Sequence, residues 1–255
     1  MPISKRQLAK HWTDQIEIDY YAAFIKSWIA FNAWLNYKYD NINDVQKIEN
    51  LVDGSLLKDI ICRVIREQDD AEMLLSRIAK LHELLESREI KNKEKRVSLT
   101  KICVKRDPIN TEETKNRVTY SFKCEGNKNK CIITNSLGEK LFEFIDDSKN
   151  YSEEKCQEKL NQDSLTPTQK SYAFSLYKQL APTEEINLLN TSASEYYEIG
   201  QFRFIKNEKH IFQALIETIY DIRCLLFHGD IEPEENSDIY EQAYYIVKYF
   251  VNKVS

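Results

Sequence analysis

Two side chains near the end of the chain have the types that phosphodiester chemistry needs. In the stretch IRCLLFHGD, residues 222–230, four residues separate Arg223 from His228. Arginine carries a permanent charge on a planar fork of donors that matches a phosphate, and histidine can take and give a proton near neutral pH. Spacing alone selects nothing. Ten arginines and four histidines give roughly half a match by chance, yet Arg6 with His11, Arg77 with His82 and Arg203 with His210 also fit. Context separates them. Five residues of continuous helix turn by about 140°, so such a pair diverges unless the helix ends at or between its members. Arg77 and His82 fall mid-helix, with His82 read as a helix-surface residue, while Arg6 and His11 precede the first helical pattern. Arg203 and His210 straddle a helix start at Asn207. Only Arg223 and His228 follow an apolar helix and precede a glycine exit, Gly229, with Pro233 behind it and a final helix beyond.

The pair suggests phosphodiester chemistry, and one form open to it is RNA cleavage without a metal. A base removes the proton from a ribose 2′-hydroxyl, the oxygen attacks the adjacent phosphorus, and the 5′-oxygen leaves with a proton from an acid. A 2′,3′-cyclic phosphate remains. His228 suits the proton transfer, which contributes roughly 10²- to 10⁴-fold, and a helix C-terminus favours its cation. Arg223 suits the charge that develops on phosphate. The plain structural reading keeps its place beside this one: Arg223 bridges Asp221 or Glu217, and His228 caps the last carbonyls.

An Arg and a His so spaced, between two helices near the end of a helical domain, resemble the HEPN superfamily. The tract WIAFNAWLNY, residues 28–37, is similar to the aromatic, Asn-containing opening helix of larger bacterial members. The resemblance covers the two ends of the chain and implies a HEPN-like helical bundle. It further implies a metal-independent endoribonuclease, in a toxin or antiviral-defence (abortive-infection) setting, with no cofactor. A homodimer would bring both motifs into one cleft, since one histidine does not easily serve as both base and acid. The implied catalytic residues are Arg223 and His228, with Asn32, Cys224 and Asp230 in support. Two positions depart from the family. Cys224 stands where a polar residue often follows the Arg, and Asp230 replaces the tyrosine that receives AMP in some toxins. A catalytically silent module that binds nucleotide, RNA or a protein through the same cleft is the alternative.

The elements that must position these residues read as mostly helical. The chain has 255 residues, 42% hydrophobic, with only five Gly and five Pro. That favours helices over a loop-rich β fold and allows a substantial core. A first long helix runs from near Thr13 to about Tyr39, its face lined by Phe24, Trp28, Phe31 and Leu35. Its Asn32 either satisfies a buried partner or faces an active centre. After a polar stretch with Gly54, a second pattern runs from about Leu56 to Glu86, broken or bent by the charged run at residues 66–72. From Val97 the period shortens, with VSLTKICVK, RVTYSFKCE and KCIITNS reading as strands. The expectation is therefore a mainly α chain with a small β insertion. The helical domain comprises residues 1–96 and 146–255; residues 97–145 form an antiparallel insert of three or four strands, either a specificity element or a structural flap.

Helices resume at Ser152 and at Thr166, where T-P-T-Q is a capping box with Pro at its first position. Residues 183–206 read as an irregular connection tucked down by Tyr196, Tyr197, Phe202 and Phe204. Asn207 caps the helix carrying Arg223, and Ser237 begins the last one.

Net charge is −5, which opposes broad electrostatic binding of nucleic acid. A local exception spans residues 88–106, where eight Lys and Arg face two Glu. Lys91, Lys93, Lys95, Arg96 and Lys101 there are the candidate RNA contacts; the other reading is a solvated helix end and a protected edge strand. The six cysteines show no zinc spacing and read as free thiols in a reducing cytoplasm, although Cys124 and Cys131 bracket one turn. Asp69 with Asp70, and Asp146 with Asp147, read as surface charge rather than metal ligands. No P-loop, dinucleotide fingerprint, H-E-x-x-H or G-x-S-x-G is present. The expected partners are RNA, a second copy, and an antitoxin or phage-derived trigger, with no membrane.

Overall fold

A computed structural model describes residues 19–68, 72–93, 95–147, 151–189, 194–232 and 234–254. Two compact units divide the chain: residues 1–102 with 187–255, and residues 103–186.

The first unit is built mainly from helices with strong local start signals. Helix α1 (Tyr20–Lys38) begins where the Asp19 carboxylate accepts from the Ala22 amide, and it buries Phe24, Trp28, Phe31 and Leu35. Residues 13–18, assigned to this helix by the sequence pattern, lie outside the described residues. Helix α2 (Asp44–Asp53) starts in a reciprocal capping box between Asn43 and Gln46. The sequence reading passed over it as a polar stretch. The long pattern of residues 56–86 resolves into α3 (Leu56–Glu67) and α4 (Glu72–Arg88), with residues 69–71, and so Asp69 and Asp70, outside the described residues. Helix α4 leads into a short hairpin, β1 (Lys91–Asn92) with β2 (Lys95–Arg96).

In the second unit the chain enters along β3 (Lys101–Lys105) and forms an antiparallel meander. Its strands are β4 (Thr111–Lys115), β5 (Val118–Glu125), β6 (Lys128–Asn135) and β7 (Lys140–Asp147), in that spatial order. Alternation sets one face inward: Val118, Tyr120, Phe122, Cys131, Ile133 and Phe142 are buried. They share a core with Cys156 and Leu160 of α5 (Glu153–Gln162) and with Ala173, Leu176 and Tyr177 of α6 (Pro167–Lys178). Helix α6 has the expected Thr166–Gln169 capping box and Pro at its start. Strand β8 (Thr183–Asn187) pairs with β3. Cys124 lies opposite Asn129, and Cys131 opposite Phe122, so the two thiols are not cross-strand neighbours, and no disulfide is formed among the described residues.

The first unit then resumes with the hairpin β9 (Tyr196–Ile199) and β10 (Phe202–Ile205). Gly200 turns it at φ +63, so close to α4 that an added Cβ would stand 2.5 Å from the Ala79 Cβ. Helix α7 (Glu208–His228) follows its Asn207 cap, and its buried face includes Ile211, Leu215, Ile219, Ile222 and Leu226. Helix α8 (Ser237–Val254) packs extensively on α1, with Tyr240 against Phe24 and Phe250 against Phe31.

This architecture corrects the expectation of a mainly helical, HEPN-like bundle with one small insert. Among the described residues, eight helices accompany ten strands in four sheets. Strands occur before residue 97 and after residue 145, and the four-stranded sheet shares its core with α5 and α6. Residues 183–206, expected to be irregular, supply β8, β9 and β10. Each of these strands is only four or five residues long, too short for period-two alternation to stand out, and its partner is remote or across a tight turn. Tyr197 and Phe204 are buried as expected, but on a hairpin.

Candidate functional site

Arg223 and His228 both lie on α7, which stays helical through His228. Gly229 accepts the left-handed C-cap at φ 72, and its amide reaches back to Leu226 and Leu225. Because the helix does not end between them, the two side chains leave its axis about 140° apart. Within one chain they point to different sides.

Arg223 turns toward α1 and α2. Its guanidinium lies 4.7 Å from the Phe227 ring centre, 5.9 Å from that of Tyr220 and 6.0 Å from that of Trp28. One terminal nitrogen is 3.8 Å from the Asp44 carboxylate, at the limit of an ion pair, and the other donates weakly to the Cys224 sulfur at 3.8 Å. Its Nε is buried and has no hydrogen-bond partner. The side chain is 21% exposed. A guanidinium has five N–H donors, so the protein leaves much of this fork unused at a cost that an incoming anion would relieve.

Around Arg223 the structure gathers residues from three helices. Asn32 is half-buried and lines a narrow crevice with Trp28, Asp44, Lys47 and Tyr220. The Lys47 ammonium donates to Asn36 at 2.5 Å and to Asp44 at 3.1 Å. Burial, followed by the neighbouring Cys224, pushes the Tyr220 phenol up to about 12, so it remains a neutral donor. Cys224 is half-buried beside it. His228 and Asp230 are exposed at the helix end, and Phe227 between them and Arg223 is 52% exposed.

Asp44 was not among the residues singled out by sequence. The Asn43–Gln46 capping box would have marked its helix. Glu217 and Asp221, the sequence alternatives for holding Arg223, instead face the β1–β2 hairpin. Asn92 donates to Asp221 at 2.9 Å, while the Lys95 ammonium stands 3.9 Å from Glu217 and 4.0 Å from Asp221. Burial raises the Glu217 carboxyl above its ordinary range.

The expected RNA-contacting run is thus partly neutralised. Lys95 is held by these acids, and Arg96 pairs with Glu86 at 3.0 Å. Lys91, Lys93 and Lys101 are exposed. Arg88, at the start of the run, grips Asp238 with both terminal nitrogens.

Among the competing Arg–His pairs, Arg77 and His82 both have structural roles. Arg77 engages Glu241 and Gln242 and covers the Tyr245 ring at 4.1 Å. His82 is not on the helix surface as its sequence context suggested; it is fully buried against Phe202 and Phe204. Arg6 and His11 lie outside the described residues. Asp146 also departs from a surface role, since its carboxylate accepts from the Tyr177 hydroxyl at 2.6 Å and its other oxygen is buried without a partner. Among the described residues no group of three or more His, Cys, Asp or Glu is arranged to hold a metal, and no helix is long and apolar enough to cross a membrane.

The chain matches no family model, no curated protein and no solved structure.

Proposed function

We propose that this protein is a metal-independent endoribonuclease of the HEPN type, a toxin or antiviral effector that cleaves RNA by 2′-hydroxyl attack. The observation that carries this reading is the unsaturated fork of Arg223. A half-buried guanidinium with an unpartnered Nε and a single carboxylate at 3.8 Å is a ready donor site for phosphate oxygen. His228, exposed one and a half turns further along the same helix, supplies the proton-transfer group. In this reading Arg223 stabilises charge on the phosphorane-like transition state. His228 removes the 2′-proton, and the His228 of a second copy protonates the leaving 5′-oxygen. Asn32 and Tyr220 supply neutral donors at the edge of the phosphate site.

The divergence of Arg223 and His228 along a continuous helix favours a second reading, a catalytically silent module that binds RNA, nucleotide or a protein partner. Incubating the purified protein with total RNA in EDTA, beside Arg223→Ala and His228→Ala, separates the two. The nuclease reading expects cleavage by the parent and at least a hundredfold loss in each variant. Cleavage that survives both substitutions removes the site assignment, and RNA binding without cleavage by the parent favours the silent module.

A further inference from the structure

On the side of α1 away from Trp28 and Arg223 lies a groove of about 540 Å³, between α1 and α8. Its lining combines the small and apolar side chains Ala22, Ala23, Ala30 and Val251 with Ser27, Asn252 and the exposed Lys26 and Lys248. The size falls within the range of about 300–1,000 Å³ that small-molecule sites occupy. Neither lysine has a carboxylate partner among the described residues. Among the described residues Lys26 is exposed with no ion pair, and the Lys248 ammonium donates to the Tyr244 hydroxyl at 3.1 Å. Asp19, the one carboxylate in the lining, is committed to the α1 N-cap through the Ala22 amide at 3.0 Å. In a chain of net charge −5, two lysines against one carboxylate leave this lining with a local reversal of sign.

We infer that the α1–α8 groove binds an anionic amphiphile, an acyl chain carrying a carboxylate, with the chain along the alanines and the head between Lys26 and Lys248. Burial of the chain supplies affinity and the two ammoniums select the sign of the head. A groove with apolar side chains along both helices suits an aliphatic chain better than a polar ligand. This site is independent of the Arg223–His228 pair.

Calorimetric titration of the full chain with decanoate and with decyltrimethylammonium, both below their micelle concentrations, tests the inference. Decanoate should bind at least tenfold more tightly than the ammonium amphiphile. The double variant Lys26→Glu/Lys248→Glu should reverse that preference, and Ala30→Trp, which fills the groove from an exposed position, should abolish binding of both. Equal binding of both heads, or parent-like decanoate binding by the double variant or by Ala30→Trp, would overturn the proposal, as would no decanoate binding by the parent. His228→Ala should bind decanoate like the parent, so this result stands or falls apart from the nuclease reading.

Discussion

Arg223 sits among three aromatic rings that hold its plane without consuming its donors. Lysine would keep the charge but lose both the fork and the ring stacking. Arg223→Lys is therefore expected to lower RNA cleavage at least tenfold while leaving the unfolding free energy from urea titration within about 1 kcal/mol of the parent. Activity near the parent's would mean that a point charge suffices and that the ring cage is only packing. The residue types of this site were legible from sequence, because arginine and histidine near a glycine exit are a local signal. Their environment was not. Tyr220 reaches Arg223 by i,i+3 spacing on α7, but Asp44 and Trp28 do so through tertiary packing that no spacing rule encodes.

His82 illustrates the same limit with a measurable consequence. Both ring nitrogens are buried and unpartnered, and burial lowers its pKa from the usual 6.5; Glu86 pulls the value up and Arg96 pushes it down. The unfolded chain therefore takes the proton more readily than the folded one. The contribution of neutral His82 to stability is complete above the unfolded value and is lost as pH falls below it. Relative to His82→Leu, the parent should lose stability between about pH 7 and about pH 5 in urea unfolding. Parallel pH profiles for the two proteins would show that His82 is not buried in its neutral form.

At the scale of elements, helix starts were the most readable feature. Asn207, Thr166 with Gln169 and Pro167, and the Gly229 exit all act within a single turn, so sequence carries them directly. The β1–β2, β3–β8 and β9–β10 pairings depend on partners that short strands do not announce. Their presence overturned the expectation of a helical bundle with one insert.

Two glycines separate local from tertiary strain. Both Gly200 and Gly229 have positive φ, but Gly229 faces open space whereas a Cβ at Gly200 would meet Ala79. Gly229→Ala should cost about 1–2 kcal/mol from the left-handed backbone alone. Gly200→Ala should cost a further 1–3 kcal/mol, roughly, from the clash. Equal losses in chemical denaturation would show that the β9–β10 turn moves freely away from α4.

For the whole molecule, residues 103–186 possess their own sheet, two helices and a contiguous core of buried side chains. Expressed alone, this segment should fold, with dispersed amide resonances and a cooperative melt. A collapsed amide spectrum would show that the core needs the rest of the chain. The sequence read strands where β3, β5 and β6 lie, yet missed β8 and left α5 and α6 with the other helices, because hydrophobic periodicity reports an apolar face without naming what covers it.

The nuclease reading also belongs to the whole molecule, since one chain presents Arg223 and His228 on different sides of α7 and the acid–base pair requires a second copy. The chemistry leaves a signature at the RNA ends. Products formed in EDTA should carry 2′,3′-cyclic phosphates for the parent, with His228→Ala leaving the RNA intact. Products ending in a 3′-hydroxyl, or cleavage undiminished in His228→Ala, would contradict 2′-hydroxyl attack assisted by this histidine.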